Sequence, residues 1–167
     1  IRDRKNTASG YQALKFNTTG NDNTALGYKA LRENTEGNYN TASGYNALQD
    51  NTTGDNNTAS GYNSLFKNTT GNNNTASGRN SLYFNTNGSN NTALGYQAGD
   101  TIKTGTNNTI IGTGADPSSA TATNQIVIGQ GTTGQGDNSV TLGNTGVTSV
   151  YMSQDSGATV FCLSLIH

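Results

Sequence analysis

Apolar positions recur along this chain with a long and constant period. The words NTASGYQAL, NTALGYKAL, NTASGYNAL, NTASGYNSL, NTASGRNSL and NTALGYQAG begin at Asn6, Asn23, Asn40, Asn57, Asn74 and Asn91, always at a 17-residue step. Self-similarity at one fixed step is the mark of stacked repeats, each too small to bury an apolar face alone. Six units fill residues 6–107 without insertion or deletion, and each closes on a turn word such as NTTGND, NTEGNY or NTTGDN. The apolar content of a unit is thin: Ala, a Leu (Leu14, Leu31, Leu48, Leu65, Leu82) and a Tyr (Tyr11, Tyr28, Tyr45, Tyr62, Tyr96).

The polar positions are as regular. Asn6, Asn23, Asn40, Asn57, Asn74, Asn91 and Asn108 form one column. Glycine forms two more, at Gly10, Gly27, Gly44, Gly61, Gly78, Gly95 and at Gly20, Gly37, Gly54, Gly71, Gly88, Gly105. A glycine required at one point of every unit implies a positive φ or a tight backbone approach, and Asn beside it tolerates the same left-handed region. Helix is disfavoured, because each internal Gly costs about 1 kcal/mol against Ala. A 17-residue unit instead fits two short strands and two turns. Stacking such units in parallel at roughly 4.8 Å gives an all-β fold, a parallel β-solenoid about 40 Å long with eight or nine rungs. The Asn columns then form amide ladders and the Thr columns hydroxyl ladders, as in stacks of identical strands.

Residues 108–146 continue the register in drier form, with NTIIG, QIVIG and SVTLG placing Gly112, Gly129 and Gly143 in the first glycine column. The last step, from Gly129 to Gly143, is the one short step, and Ile110, Ile111, Ile126, Val127, Ile128, Val140 and Leu142 strengthen strand character. Residues 1–5 read as a leading partial repeat, and 147–167 as a terminal cap or connector. The opening IRDRK, without Met or an apolar leader, reads as part of a longer chain.

Composition narrows the functions. Only 30% of residues are hydrophobic and 11% charged, with net charge -1; disorder normally couples low hydrophobicity to high net charge, and here Thr is abundant instead. Nine basic residues, scattered, give no stripe to neutralise phosphates, so nucleic-acid binding lacks its main energy source. The apolar stretches near Val160 are far short of the roughly 20 residues of a membrane span. One cysteine, Cys162, permits no internal disulfide and reads as a small buried hydrophobe. The single histidine, His167, is the last residue, so no catalytic triad and no histidine metal site can be assembled. Asp22, Glu33, Glu36, Asp50 and Asp55 fall at different places in their units, which gives no repeated acid–base pair and no calcium repeat. The expectation is no enzyme, no cofactor and no metal. Glycosylation triplets at Asn17, Asn51, Asn56 and Asn73 are better explained by ladder chemistry.

The Leu and Tyr stripe leaves two arrangements open. Identical chains can pack their stripes together, with three-fold closure giving a homotrimer, or one chain can bury Ala and Leu and leave Tyr on its surface. At NSVTLG, NQIVIG and the NTALGY words the sequence resembles the left-handed parallel β-roll heads of YadA-like trimeric autotransporter adhesins. It is equally similar to the NTA-x-GY-x-AL arrays of phage tail-fibre proteins. The resemblance covers about residues 6–146 and implies a trimeric extracellular rod at a cell or virion surface, contacting a host glycan or protein. Two departures stand out: the adhesin unit is usually shorter than this one, and Thr7 and Ser9 occupy positions where those heads more often carry aliphatic side chains. Phe16, Phe66, Tyr83 and Phe84 are candidates for stacking on sugars. An ice-binding solenoid is the alternative, on Thr columns such as Thr18-Thr19, Thr52-Thr53 and Thr69-Thr70, although adjacent Thr residues on a strand face opposite ways.

Overall fold

The computed structural model describes residues 5–149. Nine strands follow one another: β1 (Thr7–Ser9), β2 (Thr24–Leu26), β3 (Thr41–Ser43), β4 (Thr58–Ser60), β5 (Thr75–Ser77), β6 (Thr92–Leu94), β7 (Thr109–Ile111), β8 (Gln125–Ile128) and β9 (Ser139–Leu142). They make one sheet whose spatial order is the chain order, with parallel pairing throughout. The chain is therefore an all-β parallel solenoid. Each residue of a strand sits opposite its equivalent in the next unit, Thr24 beside Thr41 and Ala25 beside Ala42. The final step is the short one, Gln125 beside Ser139. Most of the cap expected at 147–167 lies outside the described residues.

Each unit forms one strand where the spacing suggested two. The Thr-Ala-Ser or Thr-Ala-Leu triplet is extended, and the glycine after it, with φ between 131° and 142° from Gly10 to Gly95, ends the strand. The second apolar segment winds instead of pleating, because alternate residues enter the left-handed region: Lys29 at φ 53° and Leu31 at φ 50°. Its amides still join the coils, Lys29 N–H donating back to the Tyr11 carbonyl (2.8 Å) and Leu31 N–H forward to that of Ala47 (3.0 Å). A left-handed Leu costs roughly 1–2 kcal/mol. Full burial of a Leu side chain, worth roughly 1.5–3 kcal/mol, is what holds Leu31, Leu48, Leu65 and Leu82 there.

The interior is narrow. Ala25, Ala42, Ala59, Ala76 and Ala93, then Ile110 and Val127, point inward from the sheet to meet the Leu column. Two columns of Asn complete it. Asn23, Asn40, Asn57, Asn74, Asn91 and Asn108 are buried before the strands, and Asn34, Asn51, Asn68 and Asn85 are buried across from them. In the first column the side-chain oxygen accepts the backbone N–H of the next column member, as in Asn40 N–H to Asn23 Oδ1 at 2.9 Å. In the second, amide bonds amide, Asn51 Nδ2 to Asn34 Oδ1 at 2.7 Å and Asn68 Nδ2 to Asn51 Oδ1 at 2.8 Å. Both columns donate to one carbonyl per coil: Gly54 receives Asn40 Nδ2 at 2.8 Å and Asn51 Nδ2 at 3.0 Å. A Cβ on Gly54 would overlap the Gly71 carbonyl and the amides of Asn51 and Asn68, so this glycine is set by close approach rather than by a positive φ.

One unit departs from the pattern twice and compensates. The sixth carries Gly99 where the others carry Leu, and Ile102 where they carry the second buried Asn. Ile102 is fully buried, and its Cδ1 lies 3.4 Å from where a Cβ on Gly99 would stand, so it fills the missing leucine's volume. The amide ladder ends there, and Asn85 Oδ1 has no donor. Gly99→Leu alone should destabilise by about 1–3 kcal/mol through overpacking, and Ile102→Asn alone by a comparable amount through lost burial. The double variant rebuilds the regular unit and should recover most of both losses, a coupling of roughly 0.5–3 kcal/mol. Urea unfolding of the four proteins measures it; additive losses would contradict the compensation.

Candidate functional site

Two surfaces carry chemistry, and the strand pattern builds the first. With the central Ala inward, the first and third residues of each triplet point outward. Thr41, Thr58, Thr75 and Thr92 are exposed in one in-register column, flanked by Thr24 and Thr109. Their hydroxyls make no hydrogen bond among the described residues. The turn threonines differ, since Thr18, Thr35, Thr52, Thr69 and Thr86 each donate Oγ1 to a carbonyl of the next coil at 2.8–3.1 Å. The neighbouring outward column runs Ser9, Leu26, Ser43, Ser60, Ser77, Leu94, Ile111, Ile128 and Leu142. Toward the last rungs this face turns apolar: Leu94 is 51% exposed and Val140 61%.

The second surface is the edge after the strand. Tyr11, Tyr28, Tyr45 and Tyr62 stack ring on ring, centroids 5.3, 4.7 and 5.1 Å apart. The column lies outside the coil, with Tyr11 62% and Tyr45 44% exposed, whereas Leu31 to Leu82 are inside a single chain and Leu14 is partly buried at the first coil. In the fifth unit Arg79 takes the tyrosine's place, its guanidinium 5.6 Å from the Tyr62 ring and 5.7 Å from that of Tyr96. Beside it Phe66 stacks on Tyr83 at 5.3 Å, and Phe84 meets Tyr83 edge-on at 4.7 Å. Phe16, the counterpart of Phe84 in the first unit, is exposed, with Lys15 Nζ and the Arg32 guanidinium each 5.0 Å from its ring centroid.

Arg79, Asn80, Tyr83 and Phe84 from the fifth unit, with Gln97 and Asp100 from the sixth and Tyr62 and Asn63 from the fourth, line an open cleft of about 350 Å3. Asp100 has a raised pKa, chiefly from desolvation by burial and opposed by its hydrogen bond from Gln97 Nε2. A second cleft of about 380 Å3 near Gly131 and Asn144 is lined by glycine and polar residues without a charge. Among the described residues no group of three His, Cys, Asp or Glu is placed to hold a metal, and no helix is long and apolar enough to cross a membrane. Of the glycosylation triplets, Asn51 is fully buried while Asn56 and Asn73 are exposed.

Sequence reasoning overlooked the second Asn column, although its members open every NTTG-type word, and the cleft residues Arg79, Asn80, Gln97 and Asp100. The available signal was that departures from the repeat cluster in two adjacent units. No protein-family model matches the chain, and no curated protein matches it.

Asp116 accepts from Thr101 Oγ1 at 3.0 Å, yet burial still raises its pKa above 3.8 more than the Thr101 bonds lower it. The folded state thus binds this proton more tightly than the unfolded chain. Its contribution is complete below pH 3.8 and is lost as pH rises through the folded-state pKa. Asp116→Asn keeps the acceptor and removes the charge, so it should raise the unfolding midpoint at neutral pH and lose that advantage in acid. A pH series of thermal unfolding for both proteins checks the sign.

Proposed function

We propose that this chain is a segment of an extracellular structural and adhesive rod at a cell or virion surface, assembled as a homotrimer and contacting a host surface. The observation that carries the reading is the outward face of the sheet, where Leu94, Ile126, Ile128, Val140 and Leu142 stand exposed on the later rungs. A contiguous apolar patch of that kind marks an association surface. A cyclic assembly of identical chains covers such a patch without open ends. The resemblance to YadA-like heads supports the same arrangement, since the SVTLG word places Val140 and Leu142 outward. The 17-residue coils set rod length, and the aromatic edge is left for contact. Light scattering should give the mass of three chains. Val140→Asp with Ile128→Asp, at sites exposed in the single chain, should yield folded monomers; an unchanged trimer would overturn the role of this face.

A second reading, an ice-binding surface, draws on the strand threonines. Thr41, Thr58, Thr75 and Thr92 repeat at the spacing of parallel strands, ~4.8 Å, with hydroxyls free of internal bonds. This is a different column from the turn pairs Thr18-Thr19 and Thr52-Thr53, whose first members are tied to the next coil. Thermal hysteresis that disappears in Thr58→Val with Thr75→Val would establish it, and freezing behaviour equal to buffer would dismiss it.

A further inference from the structure

The cleft between the fifth and sixth units is where the repeat stops being regular, and two of its side chains, Arg79 and Asn80, form no hydrogen bond among the described residues. The column Asn46, Asn63, Asn80, Gln97 begins as an amide ladder, Asn46 Nδ2 donating to Asn63 Oδ1 at 3.1 Å. It then breaks. Asn63 Nδ2 makes no onward bond, and the Asn80 side-chain amide makes none at all, leaving its Oδ1 enclosed without a donor, as is Asn46 Oδ1 at the ladder's other end. What the column offers to the cleft is donors: Asn63 and Asn80 both line it, and neither Nδ2 has an acceptor among the described residues. Arg79 forms no ion pair and donates no side-chain hydrogen bond among the described residues; the two charge pairs there are Arg32–Glu33 and Lys67–Asp50. Rings flank its guanidinium on either side, so its N–H fork is pre-oriented for a planar anion. Asp100 Oδ2 is engaged by Gln97, which orients the carboxylate as an acceptor at the cleft wall. Tyr83 and Phe84, held at 82° to one another, supply two aromatic faces, and Phe84 is 48% exposed.

An amide pair, a carboxylate acceptor, an unpaired guanidinium and aromatic faces within about 350 Å3 match one ligand chemistry. The electron-rich ring face attracts the electropositive C–H face of a pyranose. Amides and carboxylate satisfy vicinal hydroxyls, which both donate and accept. The guanidinium takes a carboxylate by two parallel hydrogen bonds. A phosphate dianion fits less well, because Asp100 would stand against its extra charge. We propose that this cleft binds an acidic pyranose, a sugar ring bearing a carboxylate, as the contact point of the rod with a surface glycan. The proposal rests on the adhesive reading for its biological setting and on the cleft alone for its chemistry.

The test uses the full chain, with methyl glucuronide, methyl glucoside and acetate as probes, followed by amide chemical shifts in NMR titrations at millimolar concentrations. The glucuronide should give saturable shifts at Arg79, Asn80, Phe84 and Asp100, with the glucoside about tenfold weaker and acetate giving none. Arg79→Gln should weaken the glucuronide by about tenfold or more, as expected for a lost charge-assisted bond, and leave the glucoside unchanged. Phe84→Ala should weaken both, whereas Phe16→Ala, the same repeat position outside the cleft, should alter neither. Unshifted spectra of the remaining coils establish that each variant is folded. No saturable shift with either sugar, equal binding of acetate, or indifference to Arg79→Gln would overturn the proposal. The adhesive reading is separable: if Val140→Asp with Ile128→Asp abolishes trimers and surface attachment while the sugar arm fails, only the cleft assignment falls. If glucuronide binds but the chain stays monomeric, only the rod reading falls.

Discussion

The structure depends on one arrangement repeated coil after coil: a glycine carbonyl gripped by two buried asparagine amides. Gly37, Gly54, Gly71 and Gly88 each receive Nδ2 from an Asn three residues before and from another on the opposite wall. A buried amide without partners costs more than a hydrogen bond returns, so these side chains are stable only while the coils stay stacked. That makes the interior conditional on register. Apolar cores of ordinary domains tolerate sliding and repacking; a column of amides with fixed partners does not. The unbroken 17-residue step and the scarcity of apolar residues are thus two sides of one design, in which oriented amides replace volume-filling hydrocarbon.

The same constraint explains where the chain changes character. When the second Asn column ends at Ile102, the interior becomes aliphatic, with Ile110 and Val127 in place of Ala. Gln125 then stands where Asn had been, fully buried, with Ser118 bonded at both ends of its amide. The extra methylene is accommodated by a loop, and the following step, from Gln125 to Ser139, is the one that shortens. The register bond into this coil, Gln125 N–H to Asn108 Oδ1 at 3.0 Å, is retained across the preceding 17-residue step.

Much of this was legible beforehand. Period and stacking followed from exact recurrence, and the all-β class from the two glycines that each unit carries. Local conformation was less so. A second strand was the natural expectation for the Tyr-to-Leu segment, and left-handed Leu31 and Leu48 are foreign to intrinsic preference; burial and inter-coil bonds override it only once the stack exists. The inward face was also hidden, because Thr-Ala-Ser has no apolar alternation and the smallest residue proves to be the buried one. Outward aliphatic residues are isolated at Leu26 and become consecutive only from Leu94 onward, where they disclose that the sheet has a face to cover.

Repetition also determines where function can reside. Over the first five units the inward Asn, strand Ala and Leu columns keep one residue type each, while the sheet's outer face and the aromatic edge vary. On the outer face the change is graded, from Thr and Ser to Ile, Val and Leu along the stack, which suits association over a length. On the edge it is abrupt: Arg79 interrupts a tyrosine stack, and Asp100 joins the Tyr83–Phe84 pair in one cleft. A graded change spreads weak contacts over many coils, while an abrupt one concentrates unlike groups within one small volume. The first suits the proposed association of chains and the second the proposed binding of a small molecule, and the two surfaces lie on different faces of the same coil.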